Sequence, residues 1–178
     1  MWRSLSVASG DVVAFIDADT RDFDPRFVNG VVGPLLTDPS LRFVKATYRR
    51  PFTAGGLEVP GGGGRVSQLT ARPLLDAFYP DLAALTQPLA GEVAATRELL
   101  ESIPFATGYA VETAMLLDVH EAVGSAAMAQ CDVGERRNHH QPLDALRPMA
   151  ETVLAVVCEH QGLDTAGPEI VRRPPFSR

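Results

Sequence analysis

The stretch Val12 to Ile16 followed by Asp17-Ala18-Asp19 constrains this chain most. A short, continuous, β-rich apolar run is the pattern of a strand covered on both faces, as in α/β proteins. Such a strand running directly into paired carboxylates places them at its carboxyl end, where open α/β sheets bind ligands. Hard oxygen donors there suit Mg²⁺ or Mn²⁺, which would bridge a diphosphate. Asp after a strand is also a common helix N-cap or turn residue, so that reading stands beside the metal one. A phosphatase with a nucleophilic Asp in D-x-D-x-[TV] is disfavoured, because Thr20 comes one place early and Arg21 fills the required position.

The rest of the chain alternates strand-like and helix-like segments, an α/β pattern with some parallel pairing. Leu5 to Ser9 reads as the tail of a helix stopped at Gly10. Asp24-Pro25 opens a helix through Leu36, and Arg42 to Tyr48 reads as the next strand. The segment from Arg50 to Gly64 is a long loop rich in glycine, of a kind often functional. Val66 to Phe78 and Tyr109 to Val123 have helical spacing, the latter with a core stripe of Val111, Met115, Val119 and Val123. Met128 to Val133 suggests a short strand, and Leu143 to Gln161 a last amphipathic helix. Residues 1–165 are expected to form the domain, and 166–178 a frayed, flexible tail. With 178 residues and 46% apolar content, one compact core is the expectation.

A net charge of −6 argues against non-specific binding to nucleic acid or an anionic membrane surface. No run approaches the roughly 20 apolar residues that span a bilayer. Cys131 and Cys158 are far apart and without a CxxC pairing, which predicts reduced structural thiols in a cytoplasmic protein.

Further clusters carry chemistry. Gly61 to Gly64 followed by Arg65-Val66-Ser67 offers backbone N–H groups, a helix start and a guanidinium to an anion, or is a flexible loop before an ordinary helix. It is not a Walker P-loop, which needs Lys before Ser. Arg136, Arg137, Asn138, His139 and His140 form a dense basic and imidazole cluster, suited to a metal shell or a phosphorylated substrate, or else a solvated turn. Glu112 begins its helix as a dipole-favoured acid, Leu89 to Glu92 reads as a turn, and His120 and His160 have no ligand-like neighbours.

These blocks, "MWRSLSVASGDVVAFIDADT", "GGGRVSQLTARPLL", "PLAGE", "FATGYAVE" and "GERRNHHQPL", resemble in order the glucosyl-3-phosphoglycerate synthases, retaining glycosyltransferases of the GT-A fold. The resemblance implies glucose transfer from a nucleotide-sugar, UDP-glucose or GDP-glucose, to 3-phosphoglycerate, with Mg²⁺ or Mn²⁺ and a homodimeric enzyme. It implies Asp19 and Asn138 as metal contacts, with His139 as the alternative to Asn138, and Asp17 and Glu112 as donor contacts. It implies Gly64, Arg65, Ser67 and His140 around the acceptor. The Leu89 carbonyl would lie by the anomeric centre, and Arg136 by the departing diphosphate or the acceptor. Glu92 would be structural, and Ser67 stands where the family usually has Thr. The match begins inside the family's first Rossmann-like half, so a fragment with weak or no transferase activity is expected. The alternatives are a non-catalytic binder of a phosphorylated metabolite and a mannosyl-3-phosphoglycerate synthase.

Overall fold

The computed structural model describes residues 1–20, 23–54, 57–59, 62–137 and 141–177. In chain order the elements are β1 (Val12–Phe15), α1 (Arg26–Thr37), β2 (Phe43–Arg49), β3 (Phe52–Ala54), β4 (Leu57–Val59), α2 (Arg72–Phe78), β5 (Val93–Thr96), α3 (Arg97–Ser102), β6 (Phe105–Ala106), α4 (Val111–Val123), β7 (Met128–Glu135), α5 (Leu143–His160) and β8 (Arg172–Arg173). A four-stranded sheet in the order β1-β5-β2-β7 carries the fold.

Alternation along the strands builds two cores. Val13, Phe43, Val93 and Ala95 face α4 and α5, meeting Met115, Leu116, Val156 and Val157. Val44, Ala46, Tyr48 and Ala94 point the other way, onto Phe27, Val31 and Leu35 of α1. The apolar β1 run therefore meets a core on each side, as expected of a continuous hydrophobic strand. Its pairing differs from a central parallel strand: β1 runs antiparallel to β5 and stands at the end of the sheet order. Among the described residues only β2 and β7 pair in parallel, and their register shifts between Thr47 and Arg49.

The helices from Asp24 and Leu143 and the strands at Arg42 and Met128 appear within a residue or two of their expected limits. β7 runs on to Glu135, so the basic cluster follows the strand directly. The segment from Ser67 to Ala71 is a π-type turn that leads into α2, a local widening often found at functional sites. β5 and α3 have no counterpart in the sequence reading, because Val-Ala-Ala-Thr is too short and too rich in Ala to show a period. The expected helix tail at Leu5–Ser9 is instead a 3₁₀ turn at Trp2–Ser6, held by Arg97 through the carbonyls of Leu5 (3.3 Å) and Gly10 (2.7 Å).

The segment expected to form a frayed tail makes contacts with the domain. Arg172–Arg173 pairs antiparallel with Phe105–Ala106. Trp2 Nε1 donates to the Pro174 carbonyl at 2.9 Å, and Phe176 packs edge-on against the indole. Arg172 reaches Asp118 at 2.8 Å and Glu159 at 3.0 Å. A Pro-rich, polar segment carries no periodic signal, yet long-range ion pairs and a half-buried ring dock it. The apolar face of α5 packs internally through Val153, Ala155, Val156 and Val157. Both cysteines are free thiols, and no helix among the described residues is long and apolar enough to cross a membrane.

Candidate functional site

β1 delivers Asp17 and Asp19 to the rim of a cleft of about 620 Å³. Its other walls are the Gly64-Arg65-Val66-Ser67 segment, Leu89, Tyr109 in the turn before α4, Glu112 in the first turn of α4, Arg136 after β7, and Leu146, Met149 and Val153 of α5. Every candidate residue within the described part of the chain thus lines one cavity: Asp17, Asp19, Gly64, Arg65, Ser67, Leu89, Glu112 and Arg136. Asn138, His139 and His140, with Gly61 of the glycine run, lie outside the described residues.

Arg136 organises the acidic side. Its Nη2 donates to Asp17 Oδ2 at 2.9 Å and to Asp19 Oδ1 at 3.0 Å. Its Nη1 donates to the Tyr48 hydroxyl at 3.0 Å, and its Nε lies 3.3 Å from Glu92 Oε1. The bulge at Thr47–Arg49 helps set this geometry, since the Arg136 amide donates to the Arg49 carbonyl at 3.0 Å beside Tyr48. The guanidinium expected beside a leaving group is thus first a clamp on the two aspartates. Glu92 is wholly buried beneath it. Burial drives the Glu92 carboxyl above its ordinary pKa, while Arg136 draws it back down.

Gly91 explains why the Leu89–Glu92 turn matters. A Cβ there would fall 2.6 Å from Asp17 Cγ, so only glycine leaves room for that carboxylate. Beneath the same turn, buried Lys45 donates to the Ala90 carbonyl at 2.6 Å. Burial lowers its pKa to about 8, against the pull of Glu112, Glu92 and Asp17. Burial likewise raises the Glu112 carboxyl. The sequence reading missed Lys45, although a lone Lys among Phe43, Val44, Ala46 and Tyr48 is the signal that would have found it. It also missed Tyr109, one turn before Glu112, and Arg50, both of which line the cleft.

On the basic side, Gly64 has φ of +70°, left-handed backbone that suits glycine, and a helical run starts at Arg65. Arg65 donates to the Gln141 carbonyl and lies over the Phe52 ring, 5.1 Å from its centroid.

The donor set fits a small hard cation only in part. Asp17 and Asp19 each place an oxygen within 3.0 Å of one atom, Arg136 Nη2, so both can reach a shared positive centre. Among the described residues no group of three or more Asp, Glu, His or Cys side chains is placed to hold a metal ion, so further ligands would have to come from a bound diphosphate, from water or from residues outside that set.

No protein-family model matches the chain. Over 167 residues, 94% of its length, it is 45% identical to the glucosyl-3-phosphoglycerate synthase of Mycolicibacterium smegmatis, and covers 55% of that protein. It is 45% identical to the Mycobacterium tuberculosis enzyme of that name, covering 52% of it. The chain therefore spans about half the length of the curated relatives it matches. Its fold superposes with a TM-score of 0.87 on glucosyl-3-phosphoglycerate synthase from M. tuberculosis in complex with phosphoglyceric acid, at 41% identity, covering 98% of this chain and 63% of that one. Mannosyl-3-phosphoglycerate synthase from Rubrobacter xylanophilus superposes at 0.84, with 46% identity and coverage of 98% and 62%. Structures of the M. tuberculosis enzyme hold UDP-glucose with Mn²⁺ and phosphoglyceric acid, or UDP with Mg²⁺. The chain shares one continuous portion of the GT-A fold of these enzymes and resembles the glucosyl-3-phosphoglycerate synthases throughout it.

Proposed function

We propose that the cleft joins donor and acceptor in a retaining glucosyltransferase that moves glucose from a uridine or guanosine diphosphate sugar to 3-phosphoglycerate. The observation that carries this reading is the shared cavity: paired carboxylates on one wall face a glycine-and-arginine nest on another. Asp19 would hold Mg²⁺ or Mn²⁺, with Asn138 or His139 as a further ligand, and Asp17 would meet the donor. A divalent ion bound there would supply positive charge to a departing diphosphate. Glu112 would accept hydrogen bonds from hydroxyls of the sugar, and the Leu89 carbonyl would lie by its anomeric carbon. Gly64, Arg65 and Ser67 would hold the phosphorylated acid, with His140 beside it.

In this arrangement the acceptor oxygen bonds to the anomeric carbon on the face that the diphosphate leaves. The departing phosphate oxygen takes the acceptor's proton, so no protein base is needed. Arg136 would add positive charge beside that phosphate while it orients Asp17 and Asp19. The same reading takes the protein to be a cytoplasmic homodimer, a state that sedimentation equilibrium checks. A mannosyl donor is the second reading, favoured by the 46% identity to the Rubrobacter structure.

The test is made on this chain. Saturating 3-phosphoglycerate should raise its melting temperature, a linkage worth about 3 kcal/mol at a hundred times Kd, and Arg65→Ala should abolish the rise. Transfer from UDP-glucose, GDP-glucose and GDP-mannose is measured in the same preparation, with and without Mn²⁺. Metal-dependent product formation supports the transferase. An acceptor-induced rise with no product and no calorimetric heat from nucleotide-sugar leaves a phosphometabolite-binding module, and no rise at all removes both.

A further inference from the structure

Two buried polar atoms beside the glycine nest have no partner among the described residues. Arg50 Nε and Gln87 Oε1 make no hydrogen bond within that set, and a Cβ built on Gly64 would lie 3.5 Å from Arg50 Cδ and 3.7 Å from Gln87 Oε1. Folded proteins rarely leave such atoms unpaired, and at a cleft the missing partner is a ligand or ordered water. Gln87 is itself fixed, since its Nε2 donates to the Tyr48 carbonyl at 3.1 Å.

Arg50 differs from its neighbours. Arg136 is saturated by Asp17, Asp19 and Tyr48, and Arg65 is engaged by Gln141 and Phe52. Arg50 lines the same cleft with its Nε donor unfilled. Its place is secured by the backbone: the Gly63 amide donates to the Arg50 carbonyl at 2.9 Å, and a Cβ on Gly63 would fall 2.8 Å from both that oxygen and Arg50 Cβ. The glycine run that leads into Arg65 is thus pressed against Arg50.

Two cations that line one cleft beside a glycine nest match a ligand with two separate anionic groups. The compact nest, with its backbone N–H groups, Ser67 and the start of a helical run, suits the more highly charged phosphate. A planar guanidinium suits a carboxylate, which it can grip through two parallel bonds. We infer that Arg50 binds the carboxylate of a phosphorylated hydroxy acid whose phosphate sits on Gly64, Arg65 and Ser67, and so selects that acid over a phosphorylated alcohol. The inference rests on the acceptor reading above and adds its specificity determinant. Crystal structures of the M. tuberculosis relative hold phosphoglyceric acid in one case and glycerol 3-phosphate in another, ligands that differ at this carboxylate.

Calorimetric titration of the whole chain with 3-phosphoglycerate and with glycerol 3-phosphate reads this directly. The parent chain should prefer 3-phosphoglycerate. Arg50→Gln should weaken that ligand by roughly ten- to a hundredfold while leaving glycerol 3-phosphate within about twofold, as expected for loss of one charge-assisted contact. Arg50→Lys, which keeps charge without the fork, should fall between them, and it serves as the readout should the Gln variant melt below the assay temperature. An Arg50 variant that keeps the parent's preference, or loses both ligands equally, overturns the assignment. A parent chain that binds neither overturns the acceptor reading itself, and the assignment with it.

Discussion

Two clusters in this molecule are built from the same parts, one arginine and several carboxylates, and they end in opposite states. Around Arg136, 4% exposed, the partners grade from Glu92, fully buried, to Asp19, whose side chain is 74% exposed to the cleft. Around Asp118, 9% exposed, the partners His160 and Arg172 close in from α5 and the tail, and Glu159 caps Arg172. The first leaves carboxylate oxygens facing open space and can take a ligand. The second is closed on itself and ties β8 to α4 and α5. Ion-pair content alone does not mark a functional site; what marks it is charge left unsatisfied at a cavity.

The largest test of that contrast is Arg136→Met. It strands Glu92 as a buried carboxylate without its cation and should cost about 3–5 kcal/mol in urea unfolding. The more exposed Arg172→Met should cost about 1 kcal/mol, and equal losses would erase the distinction. Next is Gly91→Ala, which pushes on Asp17 and should cost about 1–3 kcal/mol. Its partial rescue by Asp17→Gly, which opens the needed space, would show that the contact itself is responsible.

The smallest effect concerns pH. Burial pulls the His160 imidazolium down, but the bond to Asp118, the Val156 carbonyl and the Asp118 charge outweigh it and the opposing Arg172, so its pKa is raised above 6.5. Both ring nitrogens lie 3.0 Å from acceptors, a geometry that suits the doubly protonated ring. A raised histidine stabilises fully below its unfolded value and loses that contribution as pH rises through the folded one. Stability from this group should therefore decline as pH rises above about 6.5 and through the raised folded value, and His160→Gln should flatten that part of the slope. An unchanged slope would mean that the closed cluster does not depend on the imidazolium.

Much of the site was legible because its chemistry is local in sequence. Asp17-Ala18-Asp19 follows its strand directly, the glycines precede Arg65 directly, and Glu112 begins its helix. Gly91 was only part of a turn until the fold brought Asp17 against it. Lys45, Arg50 and Gln87 have no motif around them, and their meaning comes from a carbonyl and glycines that lie well outside any short window of sequence. The tail shows the same limit, since Arg172 is an unremarkable surface residue until Asp118 meets it.

The amino-acid order by itself determined the alternation of strands and helices, the apolar faces they bury, and the acids and glycines at their ends, because hydrophobic period and turn chemistry act over a few residues. Only the tertiary structure decided that β1 stands at the edge of the sheet, that most of its pairing is antiparallel, and which charges are neutralised and which face the cleft. Strand order and charge pairing depend on contacts between distant segments, and their free energy is set by burial and geometry that no short window of residues contains.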